Sequence, residues 1–191
     1  MKFRSAIFGF IAVFCVLFCS CKFETTTSII PKPSQFDFGF VGQWRMSLSE
    51  TGEQGTDLRV EHNAKTKGLY DVYQAPEDKK PWIQFTTCRL GSTNTALVEI
   101  DAVGEPRLEG QRKFYYFFAS VNKGVLTIEQ IDDEKLVVLL KTTKTNSAID
   151  RRLLSTEITA DPDALRKLIV ENRKKIISKD TINLSKISST K

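Results

Sequence analysis

Apolar and polar residues alternate along much of the chain between residues 40 and 130, and this period of two predicts a series of short β-strands. In the first of them, Trp44, Met46 and Leu48 are separated by single polar residues, so one face is buried and the other is solvated. Further strands are predicted at 58–61, 69–73, 82–90, 95–103, 114–121, 125–130 and 153–159, with polar loops between them.

The stretch FYYFFASV at 114–121 departs from simple alternation because aromatic or apolar residues occupy both of its faces. Such a strand is covered on both sides, which predicts a central position in the sheet. The sequence Asn122-Lys123-Gly124 follows, and a loop of this kind with Gly in its last position favours a hairpin into the strand at 125–130.

The spacing of apolar residues changes after Asp132. Leu136, Leu139 and Leu140 lie three and four residues apart behind an acidic start, which predicts a short helix over 133–141. A further strand remains the alternative, because two β-branched valines stand in the middle of this segment.

A second helix is predicted at 162–177. Asp161 is a suitable cap, Pro162 fits the first helical position, and Leu165 and Ile169 share one face that can lie on the sheet. The remainder, 178–191, is mostly polar and is expected to fray. An edge strand that includes Ile182 and Leu184 remains the alternative. The elements together predict an α+β fold, mainly antiparallel β, with a curved sheet or partial barrel, one short helix and one C-terminal helix.

The N-terminus has the features of a secretory leader. A basic start precedes the uncharged run 6–18, which would span roughly 20 Å as a helix against a hydrocarbon core of about 30 Å. Ser20-Cys21 then resembles the lipobox of bacterial lipoproteins, which predicts removal of 1–20 and acylation of Cys21. An uncleaved membrane anchor and a plain cleaved signal remain the alternatives.

Acylation at Cys21 would place the protein in the cell envelope, anchored to a membrane. Each buried methylene contributes about 0.8 kcal/mol, so two or three acyl chains together hold a protein on a bilayer. Lys22 follows the cysteine instead of the Asp that favours retention in an inner membrane, which points to the outer membrane. We expect a tether at 21–34, one β-rich domain at 35–178 and a flexible tail at 179–191.

Charge and chemistry exclude more functions than they support. Removal of the leader takes away Lys2 and Arg4, so the number of basic residues falls from 28 to 26, against 23 acidic residues. Such a weak excess of positive charge predicts no nucleic-acid partner. His62 is the single histidine, and Cys88 is the one thiol left after processing and acylation. We therefore predict no metal site, no cofactor, no disulfide and no enzymatic activity.

The order of these segments suggests relatives. A Gly-x-Trp strand at Gly42, an aromatic strand, then LTIEQIDDEKLVVLL and ITADPDALRKLIVENRKKII resembles a set of uncharacterised bacterial envelope lipoproteins over roughly 40–177. This resemblance implies a fold and a location but no activity. The role expected from it is a non-catalytic interaction or structural domain that meets other proteins of the envelope.

A shorter likeness suggests a different role. Phe40-Val41-Gly42-Gln43-Trp44 is similar to the opening of lipocalins and fatty-acid-binding proteins, in which a Trp closes one end of a barrel. The likeness implies binding of a small apolar ligand, with an arginine, Arg151 or Arg152, packed over the Trp. Among the aromatic residues, the candidate ligand-binding side chains are Trp44, Tyr116 and Phe118.

Overall fold

The computed structural model describes residues 22–30, 39–46, 56–74, 77–101, 114–151 and 155–187. The predicted leader and Cys21 lie outside these ranges. The positions of the first predicted strand that follow residue 46 also lie outside them. The strands are β1 Lys22–Thr25, β2 Gly42–Met46, β3 Thr56–His62, β4 Leu69–Tyr73, β5 Ile83–Arg89, β6 Thr95–Asp101, β7 Phe114–Asn122, β8 Val125–Ile131, β9 Ser147–Arg151, β10 Ser155–Ala160 and β11 Ile177–Lys186. The helices are α1 Asp133–Thr142, α2 Pro162–Glu171 and α3 Arg173–Ile176.

Eight of the strands form a closed antiparallel barrel. Strands β2 to β8 pair in chain order, and β11 pairs with β8 on one side and with β2 on the other. The predominance of antiparallel β-structure is confirmed. The predicted curved sheet or partial barrel is only roughly right, because the sheet closes completely through β11.

The closing strand comes from a segment expected to be a flexible tail. Residues 179–186 belong to β11, so the tail prediction is wrong for them. Leu184 is buried and pairs with Leu126 and Met46, while the intervening Asn183 and Ser185 are exposed. The alternation of single apolar residues in a polar segment is the pattern of a strand with one solvated face.

The tether prediction is also wrong for the residues described there. Strand β1 pairs in parallel with β10. It also pairs in antiparallel fashion with the first residues of β7, which come before the residues of β7 that pair with β8. Phe23 and Ile29 are each 1% exposed. We call residues 22–30 the strap, because they cross from β10 to the outer wall of the barrel.

The strap helps to build a second core outside the barrel. Leu97 and Phe118 project from the outer wall, and side chains from the strap, β10 and all three helices cover them. Helix α1 begins at the cap Asp132, whose side chain accepts a hydrogen bond from Lys135 N. The structure thus has a barrel with its own core and a covering layer with another.

The C-terminal helix is shorter than the sequence predicts. Asp161 accepts a hydrogen bond from Ala164 N, and Pro162 occupies the first turn, as expected. Helix α2 ends at Glu171, however, and Asn172 precedes the single turn of α3. Helix α2 packs on the outside of the barrel wall, so the side chains inside the barrel come from the strands and not from this helix.

Candidate ligand-binding site

The interior of the barrel is apolar because alternate residues of each strand face inward. Val98 lies opposite Phe117 across β6 and β7, and Ala119 lies opposite Ile128 across β7 and β8. Each inward residue of these strands has outward neighbours such as Glu99 and Tyr116. The period of two therefore gives the barrel an interior of aliphatic and aromatic groups.

An aromatic cluster closes one end of the barrel. The Phe40 ring meets the rings of Tyr70 and Phe85 edge-on at centroid distances of 6.0 and 5.8 Å, and those two rings stack on each other at 4.8 Å. Trp44 is fully buried beside them, and its Nε1–H donates to the carbonyl oxygen of Phe40 at 2.7 Å. The one polar atom of the Trp44 side chain is thereby satisfied within the chain.

A lysine rather than an arginine lies over the tryptophan at this end. Lys186 Nζ is 5.5 Å from the centroid of the Trp44 ring. The Lys186 side chain passes so close to Gly42 that a Cβ on Gly42 would lie 2.9 Å from Lys186 Cε, and Gly42 has a φ of 141°. The flexible end of Lys186 can move away from an added Cβ, so Gly42 is required for its positive φ rather than for space. Arg151, an alternative from the lipocalin likeness, is exposed on β9, and Arg152 lies outside the described residues.

Above the aromatic cluster the barrel contains a cavity. Its volume, taken as the space open to the centre of a water molecule, is about 80 Å³. Every described residue that lines it is apolar, and each of the eight barrel strands contributes at least one. Both tryptophans of the chain, Trp44 and Trp82, are among them.

The cavity is sealed at one end and less covered at the other. Phe40 and Trp44 have almost no exposed surface, whereas Leu58, Trp82 and Phe117 are half-buried although they line the same space.

The three predicted ligand-binding residues lie on two different sides of the barrel wall. Trp44 lines the cavity. Tyr116 and Phe118 project outward from β7 and are buried in the second core, so the structure does not bring them together with Trp44. The intervening Phe117 and the neighbouring Ala119 line the cavity instead. Since both faces of this strand are apolar, its sequence alone gave no signal for choosing between them.

Tyr116 takes part in a buried polar cluster on the outer wall, which we call the clasp. The carboxylate of Glu99 accepts hydrogen bonds from Ser28 Oγ at 2.8 Å, from Ile29 N at 3.0 Å and from the Tyr116 hydroxyl at 2.9 Å. The Tyr116 hydroxyl also lies 2.9 Å from Thr25 Oγ1. Ile30 N also donates to Glu99, and the Tyr116 hydroxyl donates to the carbonyl oxygen of Thr27. Two residues of the barrel wall thus hold five residues of the strap, and composition and spacing gave no indication of this arrangement.

Burial controls the protonation of the clasp. Glu99 is 5% exposed, and loss of hydration raises the pKa of its carboxyl, against the opposing effect of the hydrogen bonds from Ser28 and Tyr116. Burial also raises the pKa of the Tyr116 hydroxyl, and the charge of Glu99 adds to that rise. The phenol therefore stays a hydrogen-bond donor, and the arrangement serves to fasten the strap.

The remaining polar candidates have structural surroundings. Cys88 is half-buried, and desolvation raises the pKa of its thiol, which favours the unreactive protonated form. The His62 ring lies 5.0 Å from the ring of Tyr70. Asp133, at the start of α1, accepts a hydrogen bond from Thr156. Within the described ranges, no group of three or more His, Cys, Asp or Glu side chains could hold a metal ion.

Comparisons with known proteins add no relative. No protein-family model matches the chain, and neither a curated protein nor a solved structure matches it. The resemblances to envelope lipoproteins and to lipocalins therefore remain predictions. Among the helices of the described part of the chain, none has the length and apolar character needed to cross a membrane.

Proposed function

We propose that this chain is a lipid-anchored protein of the bacterial cell envelope whose barrel binds a small apolar molecule. The observation that carries the proposal is the apolar cavity above Trp44. The other role considered, a non-catalytic domain that meets envelope proteins, would be favoured by a helix that fills the sheet, but α2 packs on the outer wall.

The energetics of the cavity favour an occupant. At about 24 cal/mol per Å³, an empty space of this volume costs roughly 2 kcal/mol of folding free energy. Apolar cavities of this kind stay dry, because water finds no polar partners there, and they take up hydrocarbon-like ligands. A ligand that fills the space restores dispersion contacts with the lining side chains.

The shape and chemistry of the cavity define the class of ligand. The apolar lining beside Ala119 and Phe117 suits a short hydrocarbon group or the end of an alkyl chain. A polar group on the same molecule would stay towards the half-buried side chains, where water can still solvate it. We therefore expect a molecule with one apolar end, such as a fatty acyl chain.

The anchor is the second part of the proposal. Cys21 lies outside the described residues, and its acylation is supported by the uncharged run 6–18 and by Ser20 before it. The outer membrane remains the proposed location because Lys22 follows the cysteine. Labelling with radioactive palmitate should mark the wild type and not Cys21→Ser, and equal labelling of both would contradict the anchor.

The two tryptophans allow a direct test of ligand binding. A fatty acid brominated near the end of its alkyl chain should quench the intrinsic fluorescence saturably, since Trp44 and Trp82 both line the cavity. Ala119→Leu places three more carbon atoms in the cavity and should abolish saturable quenching. The matched control is Ala148→Leu on the exposed strand β9, which should bind like the wild type.

Native mass spectrometry of protein extracted from membranes gives an independent check. A mass above that of the acylated chain, lost on gentle activation, would report a bound apolar molecule. Protein without added mass, together with no saturable quenching, would exclude the ligand-binding role and favour an interaction domain.

A further inference from the structure

We infer that the anchored protein lies directly on the bilayer surface, with the edge at which β1 begins facing the lipid headgroups and Lys174 and Lys175 in contact with them. This orientation rests on the proposed acylation of Cys21. It goes beyond the anchor itself, because an anchor on a long tether would allow any orientation.

The proposed anchor has a short reach. Strand β1 begins at Lys22, the residue directly after Cys21, and consecutive Cα atoms lie about 3.8 Å apart. Lys22 pairs with Ser155, and the next residue, Phe23, pairs with Thr156. A lipid on Cys21 would therefore be attached to the folded sheet with no spacer between them.

The strap is held firmly against the barrel wall and resists release. Phe23 and Glu24 are each 1% exposed, and the Phe23 ring stacks on Tyr116 at 5.0 Å. Further along, Ile29 is fully buried and its N–H donates to Glu99 in the clasp. Detaching the strap would expose apolar surface and leave buried hydrogen-bonding groups unpaired, so it is not a source of additional reach.

Several ends of strands and helices lie at the edge where β1 begins. Thr156, the partner of Phe23, donates its hydroxyl hydrogen to Asp133 in the first turn of α1. The N–H of Asp132 donates to the carbonyl oxygen of Ile176 at 2.8 Å, where α3 ends. The beginnings of β1, β10 and α1 and the end of α3 therefore meet at one edge of the protein.

This edge presents two exposed lysines on α3, beside the acidic start of α1 at Asp132, Asp133 and Glu134. Lys174 and Lys175 are exposed on α3, directly before the buried Ile176. Their neighbour Arg173 forms an ion pair with Glu129 and lies over the ring of Phe118, which holds the turn in place. Lysine side chains at a membrane surface are attracted to anionic headgroups within about one Debye length.

Lysine footprinting on vesicles tests the orientation. The acylated protein is reconstituted into vesicles of phosphatidylcholine and phosphatidylglycerol and treated with an amine-reactive reagent that does not cross the bilayer. The reference is the same protein with ten Gly and Ser residues inserted between Cys21 and Lys22, which adds a reach of roughly 17 Å. Lys65 and Lys67, exposed on the β3–β4 connection, are internal controls.

We expect Lys174 and Lys175 to react severalfold more slowly in the wild type than in the spacer variant, and Lys65 and Lys67 to react equally in both. The peptide that contains Cys21, read from the same digest, reports acylation. An unmodified Cys21 would refute the proposed anchor and this orientation together. An acylated Cys21 with equal reactivity of Lys174 and Lys175 in both proteins would overturn the orientation alone.

Discussion

The two faces of β7 have similar sequences and opposite roles. On the inner face, Phe117 is half-buried beside a cavity of about 80 Å³ whose described lining is apolar. On the outer face, Phe118 is fully buried, and Tyr116 is hydrogen-bonded to Glu99. This strand thus borders unfilled space on its inner face and is closely packed and hydrogen-bonded on its outer face.

This difference separates the part of the molecule that maintains the fold from the part that is open to a ligand. The outer face binds the strap, β10 and the helices to the barrel, and an unfilled space there would weaken the whole covering layer. The inner face tolerates a space because the backbone hydrogen bonds of the closed barrel hold its shape. Matched substitutions on the two faces should therefore differ in their effects on stability and on binding.

The largest difference is expected between two neighbouring phenylalanines. Phe118→Ala should lower the free energy of unfolding by about 3–5 kcal/mol, because the side chain is fully buried and leaves a cavity. Phe117→Ala should cost about 1–2 kcal/mol, because Phe117 is half-buried and already borders a space. Urea unfolding of both variants measures the difference, and equal losses would contradict the contrast between the faces.

The clasp should give the next largest effect. Glu99→Leu removes the acceptor shared by Ser28, Ile29 and Tyr116, so their buried donors lose a partner and stability should fall by about 3 kcal/mol. Proteolysis should then cleave within the strap before the barrel unfolds. Glu99→Gln keeps one acceptor oxygen and should cost about 1 kcal/mol.

A glutamate on β3 provides the control for the clasp variants. Glu61 forms an ion pair with Arg59 and its side chain is 45% exposed, so Glu61→Leu should change stability by no more than about 1 kcal/mol. A Glu99→Leu variant as stable as Glu61→Leu, with an intact strap, would show that the clasp does not fasten residues 22–30.

The positions of the strap and of β11 depend on contacts between distant residues, which the local sequence pattern does not predict. Alternation correctly indicated the strands that contain Trp44 and Phe85, and the continuous apolar run indicated the strand that contains Phe117, because each of these signals is local. Closure of the barrel depends on Leu184 meeting Met46 and Leu126, two pairings between residues distant in the chain, and no local pattern specifies them.

The site was predicted only in part for a related reason. Trp44 lies two residues after Gly42 on the first barrel strand, and its side chain is buried beside Phe40, while its role in ligand binding stays a prediction. Tyr116 and Phe118 were selected with it because β7 has aromatic residues on both faces. Which of these faces is inward is decided by the pairing of Val98 with Phe117, and this pairing is a tertiary property.

The clasp should also make stability depend on pH in a defined direction. Burial raises the pKa of Glu99 above its ordinary value of 4.5, so the folded protein binds this proton more tightly than the unfolded chain. The contribution of Glu99 protonation to the free energy of unfolding is therefore fully present below pH 4.5 and is lost as the pH rises through the raised pKa.

Glu99→Gln isolates this contribution, because the amide does not titrate. The stability of the wild type minus that of the variant should decrease as the pH increases upward from 4.5, since only the wild type has the proton to lose. Urea unfolding of both proteins between about pH 4 and about pH 8 gives this difference. A difference that stays constant or increases with pH would mean that the hydrogen bonds to Glu99 outweigh its desolvation.

The smallest effect is expected inside the barrel. Ala119→Leu adds apolar atoms next to existing space, so the transfer of those atoms from water should offset most of the strain, and stability should change by less than about 1 kcal/mol. An outward substitution of similar size on the same strand, Ser120→Leu, changes the half-exposed outer surface and should also be small. The two variants differ in binding rather than in stability: only Ala119→Leu occupies the cavity, so only that variant should lose quenching by the brominated chain. Loss of quenching in Ser120→Leu as well would place the binding site outside the barrel and would remove the functional distinction between the two faces of β7.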